Sequence, residues 1–290
     1  MDQPLFIATI AVMALLMTVV GLELKPDDFK RVVRYPRASA AGIIGSVTLL
    51  PALGFGLIAL ADLPYELAAG FILLVACPGG GMSNVFVYMG RGNVALSITL
   101  TAIASVIALV SLPLIAGLGF EFLLSEQAEI EPPIWNMALS VIGLVLVPVG
   151  LGMVLRTRMP VWTAENERLL RRLSALLLSC LIGFAGIDQW EMFEAHLTDA
   201  SLWAIIWVSV AMSAGYLLGM LFKLDRGESF AIMIEYGARN VALAITIAGT
   251  AFRDPSLAVF PSAVAVAAIG PVLLALAWFR RRSTVLARRD

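Results

Sequence analysis

Apolar segments of membrane-spanning length, joined by short polar connections, constrain this chain more than any other feature. A hydrocarbon core about 30 Å thick takes about 20 consecutive apolar residues to cross as a helix. Such segments stand at Leu5–Leu22, Ala38–Leu60, Leu67–Met89, Val94–Leu118, Ile134–Leu155, Leu169–Ile187, Leu202–Phe222, Ser229–Ala251 and Leu257–Phe279, about nine spans by that criterion. Hydrophobic residues fill 60% of the 290 positions and charged residues 14%, and mean hydropathy is +0.92. An average soluble domain carries about 25% charged residues. Water would not tolerate the surplus of apolar surface; lipid does, and it demands that backbone polar groups be satisfied within the segment. The fold class expected is an all-α polytopic membrane protein. Pro51, Pro113, Pro148 and Pro271 fall inside spans, which membrane helices accept when neighbours re-satisfy the freed carbonyls.

The net charge of −1 gives no footprint for nucleic acid. Cys77 and Cys180 both lie in apolar segments and His196 is the single histidine. A disulfide framework, a metal site of Cys and His, and histidine catalysis therefore have little material. No Gly-x-Ser-x-Gly, His-Glu-x-x-His or intramembrane aspartate pair is present, so an enzyme is not expected. The N-terminus lacks a basic region and a cleavage site, and Leu5–Leu22 reads as a retained helix.

Lysine and arginine alternate along the chain. They mark the first connection (Lys25, Lys30, Arg31, Arg34, Arg37), the third (Arg91), the fifth (Arg156, Arg158, Arg168, Arg171, Arg172), the seventh (Lys223, Arg226) and the tail (Arg280, Arg281, Arg282, Arg288, Arg289). The intervening connections are acidic, with Asp62 and Glu66, then Glu121, Glu126, Glu129 and Glu131, then Asp188, Glu191, Glu194 and Asp199; Arg253 beside Asp254 is the exception. Basic loops stay in the cytoplasm. The expectation is an inner (plasma) membrane protein with its C-terminus cytoplasmic and its N-terminus outside.

Two spans are interrupted. The third contains Cys77-Pro78-Gly79-Gly80-Gly81-Met82-Ser83-Asn84, and proline followed by three glycines does not sustain a helix. The eighth contains Glu235-Tyr236-Gly237-Ala238-Arg239-Asn240, an acid, a base and an amide at membrane depth. Taken singly, the first is a kink whose Ser83 and Asn84 bond a neighbouring helix, and the second a structural ion pair. It is not a phosphate loop, since no Gly-Lys-Ser/Thr follows. Taken together, with Ser83-Asn84-Val85 matching Arg239-Asn240-Val241, they are the paired broken helices that mark a transporter's binding site. Ser97 and Thr101 share a helix face, while Thr99 points elsewhere and is expected to bond back to its own helix. Ser83, Asn84, Ser97, Thr101 and Glu235 form an all-oxygen set suited to a hard cation. With one carboxylate, a monovalent ion fits better than a divalent one. Sodium is the physical expectation, and a proton carried on Glu235 the alternative.

These residues resemble the bile acid:sodium symporter family. The resemblance runs from Gly21-Leu22-Glu23-Leu24-Lys25-Pro26-Asp27-Asp28-Phe29 to the last span. It is most specific at Cys77-Pro78-Gly79-Gly80, Ser83-Asn84-Val85 and Arg91-Gly92-Asn93-Val94-Ala95-Leu96-Ser97. It implies inverted repeats, the first lacking its leading helix, and two crossing broken helices. The core domain would hold the broken helices at about 67–89 and 229–251 together with 94–118 and 257–279. The panel domain would hold 5–22 and 134–187, with 38–60 split between the two. It implies a first sodium site of Ser83, Asn84, Ser97, Thr101 and Glu235. The positions of a second site are Ser46, Glu235 and Arg239 here, where the family carries glutamine in place of Ser46 and Arg239. A guanidinium beside Glu235 would repel a second sodium by about 4 kcal/mol at 4 Å and an effective dielectric of 20. One sodium site is thus expected and the second is degenerate. Where bile-acid-transporting members carry a polar pair in the last helix, this chain has Val264-Ala265-Val266-Ala267-Ala268-Ile269-Gly270. That favours a small carboxylate of the pantoate type over a steroid, bound by Gly81, Asn84, Arg239 and Asn240. The function implied is sodium-coupled symport of an organic anion by alternating access; the competing readings are a sodium-independent or proton-coupled carrier in which Arg239 replaces the second sodium, and a membrane-embedded sensor, for which no long extramembrane segment is available.

Overall fold

The computed structural model describes residues 3–24, 35–124, 134–188 and 190–286. The basic stretch Lys25–Arg34, the acidic residues Glu126, Glu129 and Glu131, and Arg288 and Arg289 lie outside the described residues. So does part of the evidence for orientation, and the segment Lys25–Phe29 of the resemblance.

All regular secondary structure among the described residues is helical, without a strand. Five helical stretches are long and apolar enough to cross a membrane: Pro36–Ala61, Val94–Leu123, Trp135–Arg158, Leu197–Leu221 and Pro255–Arg280. Ile10–Leu22, Tyr65–Ala76 and Val241–Phe252 are apolar but shorter. The chain is a multi-pass membrane protein. In order, α1 is Gln3–Glu23, α2 Pro36–Val47, α3 Leu49–Ala61, α4 Tyr65–Ala76, α5 Met82–Gly90 and α6 Val94–Leu123. Then come α7 Ile134–Val141, α8 Val147–Arg158, α9 Pro160–Asp188, α10 Trp190–Ala195, α11 Leu197–Leu221 and α12 Arg226–Gly237. The last three are α13 Val241–Ile247, α14 Val259–Ala267 and α15 Ile269–Leu286.

The prolines explain most interruptions. Pro51 has no N–H for the carbonyl of Val47, and α2 ends there, with Thr48 linking it to α3. Pro148 cannot bond Leu144, and the chain there makes a π-helical turn over Ile142–Leu146. Pro271 follows the break at Ala268. Pro113 alone sits inside an unbroken helix, α6. One expected loop is absent: Arg168, Arg171 and Arg172 lie within α9, which begins at Pro160 and is parted from α8 only by Met159. The apolar criterion missed that extension because the first turns of α9 are polar.

Starts and stops follow side-chain chemistry. Asn93 caps α6 by accepting from the Leu96 N–H at 3.0 Å. Asp225 and Glu228 form a capping box at α12. Asp62, Arg91 and Arg253 end their helices in left-handed conformation, with φ of 44°, 61° and 57°.

Two glycine seams organise the packing. A Cβ on Gly21 would stand 2.1 Å from the Val149 carbonyl oxygen, and one on Gly152 2.1 Å from that of Thr18. The backbones of α1 and α8 therefore touch, as small residues permit in membranes, and α9 lies against α1. Gly215 and Gly219, four apart on α11, admit the backbone of α12 in the same way. Helices α2, α3, α5, α6, α14 and α15 pack against this second pair. Their core includes Phe71 stacked on Phe260 at 4.3 Å and edge-on to Trp207 at 5.2 Å.

Candidate functional site

The two interruptions lie across one another. The helix ends at Ala76 and restarts at Met82; the other ends at Gly237 and restarts at Val241. Between them the Gly80 N–H donates to the Ala238 carbonyl at 3.0 Å, and the Asn240 N–H to the Pro78 carbonyl at 2.9 Å. This antiparallel bridge of Gly79 with Arg239 satisfies backbone groups that a broken helix leaves open in an apolar medium. No described glycine has positive φ, so the glycines at the first break are required for space. A Cβ on Gly79 would lie 1.9 Å from Glu235 Oε1.

The five oxygen-bearing residues expected to hold a cation come together at this crossing, all buried. Ser83 Oγ lies 2.8 Å from the Gly80 carbonyl and 2.5 Å from Glu235 Oε2. Thr101 Oγ1 donates to Glu235 Oε1 at 2.9 Å. Ser97 Oγ donates to Asn84 Oδ1 at 2.7 Å. Ser97 and Thr101 thus share a face of α6, while Thr99 bonds back to the Ala95 carbonyl at 2.8 Å. The donors are neutral oxygens around one carboxylate. Among the described residues no group of three or more His, Cys, Asp or Glu could hold a metal ion. The set fits a monovalent cation carried as cargo, with each hydroxyl able to turn a lone pair inward.

Ser46 and Arg239 also meet. Arg239 donates from one terminal nitrogen to Ser46 Oγ at 2.9 Å and from the other to the Val75 carbonyl at 3.0 Å, while its Nε–H is buried with no acceptor. It makes no hydrogen bond to Glu235, whose carboxylate is taken by Ser83 and Thr101. Val75 contributes a backbone group, for which its side chain carries no sequence signal. The residues Ser83-Asn84 and Arg239-Asn240 are less alike than their spelling: Asn240 caps α13 by accepting from the Leu243 N–H at 3.0 Å, whereas Asn84 lies inside α5.

Beside the crossing is a cavity of about 390 Å³. Of the residues named above as candidate anion contacts, Gly81, Arg239 and Asn240 line it and Asn84 does not. Ser46 and Val75, which hold the guanidinium of Arg239, are not among the lining residues either, so that group is turned to the helices behind the crossing. The opposite wall comes from α1, through Leu16, Met17, Val19 and Val20. These apolar residues carried no functional signal in the sequence. Gly81 precedes and Met82 begins α5, and both line the cavity, so the partial positive end of that short helix lies beside it.

Crossed breaks, a buried oxygen cluster and an adjoining cavity in a polytopic helical chain define a membrane transport protein rather than an enzyme. The profile described as the Sodium Bile acid symporter family matches residues 10–194, and the chain belongs to that family. It is 33% identical over 258 residues to an uncharacterised sodium-dependent transporter, YocS, of Bacillus subtilis, covering 87% of this chain and 76% of that protein. It is 32% identical over 269 residues to BASS2, a probable chloroplastic sodium/metabolite cotransporter of Oryza sativa, covering 92% of this chain and 62% of the rice protein. The mouse P3 protein is 26% identical over 238 residues, 80% of this chain and 49% of its own length.

Proposed function

We propose that the chain is a secondary active transporter coupling one sodium ion to the uptake of an organic anion. The carrying observation is the buried cluster of Ser83, Asn84, Ser97, Thr101 and Glu235 at the crossing of the two breaks. Sodium is the coupling ion suggested by the names of the Bacillus and rice relatives. Arg239, bonded to Ser46, stands where a second cation would otherwise lie and repels it. The anion binds in the cavity at the Gly81–Met82 amides and Asn240, and the apolar walls suit a bile-acid-like body or a small carboxylate such as pantoate.

Alternating access takes the form of a panel moving against a core. The α1–α8–α9 group, held by its glycine seam, forms the panel. The two broken helices, α6 and the segment 255–280 belong to the core. Residues 36–61 pack mainly on α4, α6 and α11, which favours assigning them to the core side. The nine-span arrangement with inverted repeats, inner-membrane residence and a cytoplasmic C-terminus complete this reading.

The test is thermal unfolding of purified protein in detergent, titrated with sodium against potassium at constant ionic strength. A sodium-specific rise, lost in Glu235→Ala and Asn84→Ala, supports the reading. Equal curves in the two salts would transfer the case to the sodium-independent or proton-coupled carrier.

A further inference from the structure

We infer that the cargo crosses as an electrically neutral unit, one monovalent cation with one monovalent organic anion, so that transport does not respond to membrane potential. The inference rests on the symport reading and adds a charge count to it.

Among the described residues Glu235 and Arg239 are the only buried charged side chains. Both flank Gly79: its Cα faces the Glu235 carboxylate, and its backbone pairs with that of Arg239. The carboxylate accepts from a hydroxyl on each oxygen. The guanidinium donates only to neutral groups, the Ser46 hydroxyl and the Val75 carbonyl, and arginine keeps its proton. Its Nε–H has no acceptor. Among the described buried side chains only Glu235 offsets its charge, and without cargo the pair sums to zero.

That sum decides what can ride. A cation bound alone leaves the buried site at +1, and an anion bound alone leaves it at −1. Either net charge must then pass through an apolar shell, which is costly. Cation and monoanion together restore zero. A second cation returns the site to +1, and a dianion with one cation leaves −1. Arg239 acts as a tethered positive charge that never leaves the protein. Cation and anion are then coupled by charge balance as well as by contact.

The experiment uses the full chain in proteoliposomes. A panel of monocarboxylates, pantoate and cholate included, is first screened with succinate as the dianion, by melting temperature in sodium. The monocarboxylate giving the largest shift is then followed as a radiolabel under a sodium gradient, with potential set by potassium and valinomycin. The expected accumulation is the same within about twofold at zero and at 100 mV inside-negative, and succinate is not accumulated. One net positive charge per cycle would instead raise accumulation about 50-fold at 100 mV, and that result overturns the inference while leaving symport intact. A panel without a sodium-dependent binder overturns the symport reading itself, and the inference with it. Arg239→Gln should make any remaining accumulation potential-driven, and Arg239→Lys should keep it neutral.

Discussion

Replacing Gly79 with alanine adds a single methyl group at the point where the two breaks touch. Its carbon would lie 1.9 Å from Glu235 Oε1, 2.4 Å from Cδ and 3.0 Å from Cγ. Carbon contacts are comfortable at about 3.5 Å, so roughly 1.5 Å of room must be found. The carboxylate is pinned on both oxygens, by Ser83 and by Thr101. Moving it that far breaks at least one of these bonds, and a hydrogen bond to a charged group contributes about 1.5–3 kcal/mol. Overpacking adds about 1–3 kcal/mol, for a total of about 2.5–6 kcal/mol, shared between folding and cation affinity. The neighbouring Gly80 is the control, because a Cβ there meets nothing closer than 3.4 Å. Melting temperature in sodium and in potassium should show Gly79→Ala destabilised and unresponsive to sodium, with Gly80→Ala near wild type. A Gly79→Ala protein that melts like wild type and keeps its sodium response would refute the claim that Gly79 is there to make room for the carboxylate.

Other substitutions probe separate parts of the argument. Glu235→Gln keeps the shape and removes the charge; it should lose the sodium stabilisation, about 2.7 kcal/mol at 100 times Kd, and an unchanged sodium titration would remove Glu235 from the cation site. Phe230 is wedged against Gly90 and Gly92 and stacks on Phe279 at 4.2 Å; Phe230→Ala should cost about 3 kcal/mol of stability, and a shift below about 0.5 kcal/mol would mean that the helices close over the gap. Asp225→Ala removes the α12 cap and should cost about 1 kcal/mol with no effect on sodium affinity. A changed affinity would link the N-terminal end of α12 to the site.

Much of the candidate cation site was legible before the structure because its residues are out of place. Ser83, Asn84 and Glu235 are polar groups at membrane depth, and Ser97 and Thr101 fall one helical turn apart. Physical chemistry gives few reasons to keep such groups in lipid other than use or pairing. The helix breaks were legible for the same reason, from proline and glycine in a span. Backbone and packing effects were hidden. Val75 serves Arg239 through a carbonyl that any residue would offer. Leu16, Met17 and Val20 wall the cavity with side chains indistinguishable from those facing lipid. The early start of α9 was obscured because apolar content, the signal used for spans, says nothing about a helix continuing through Arg168 and Arg172. The similarity of Ser83-Asn84 and Arg239-Asn240 overstated their equivalence, since one asparagine caps a helix and the other sits within one.

The two hydrogen bonds that sew the breaks together also fix an order of manufacture. The Pro78 carbonyl and the Gly80 N–H have their partners at Asn240 and Ala238, and Ser83 and Glu235 are 152 residues apart in the chain. At 5–20 residues per second of synthesis, the first break waits roughly 8–30 s for the second to be made. During that interval its open backbone groups must be met by water or by the insertion machinery. A nascent chain halted short of Ala238 would keep that wound open, which makes the unfinished protein a recognisable target for membrane quality control.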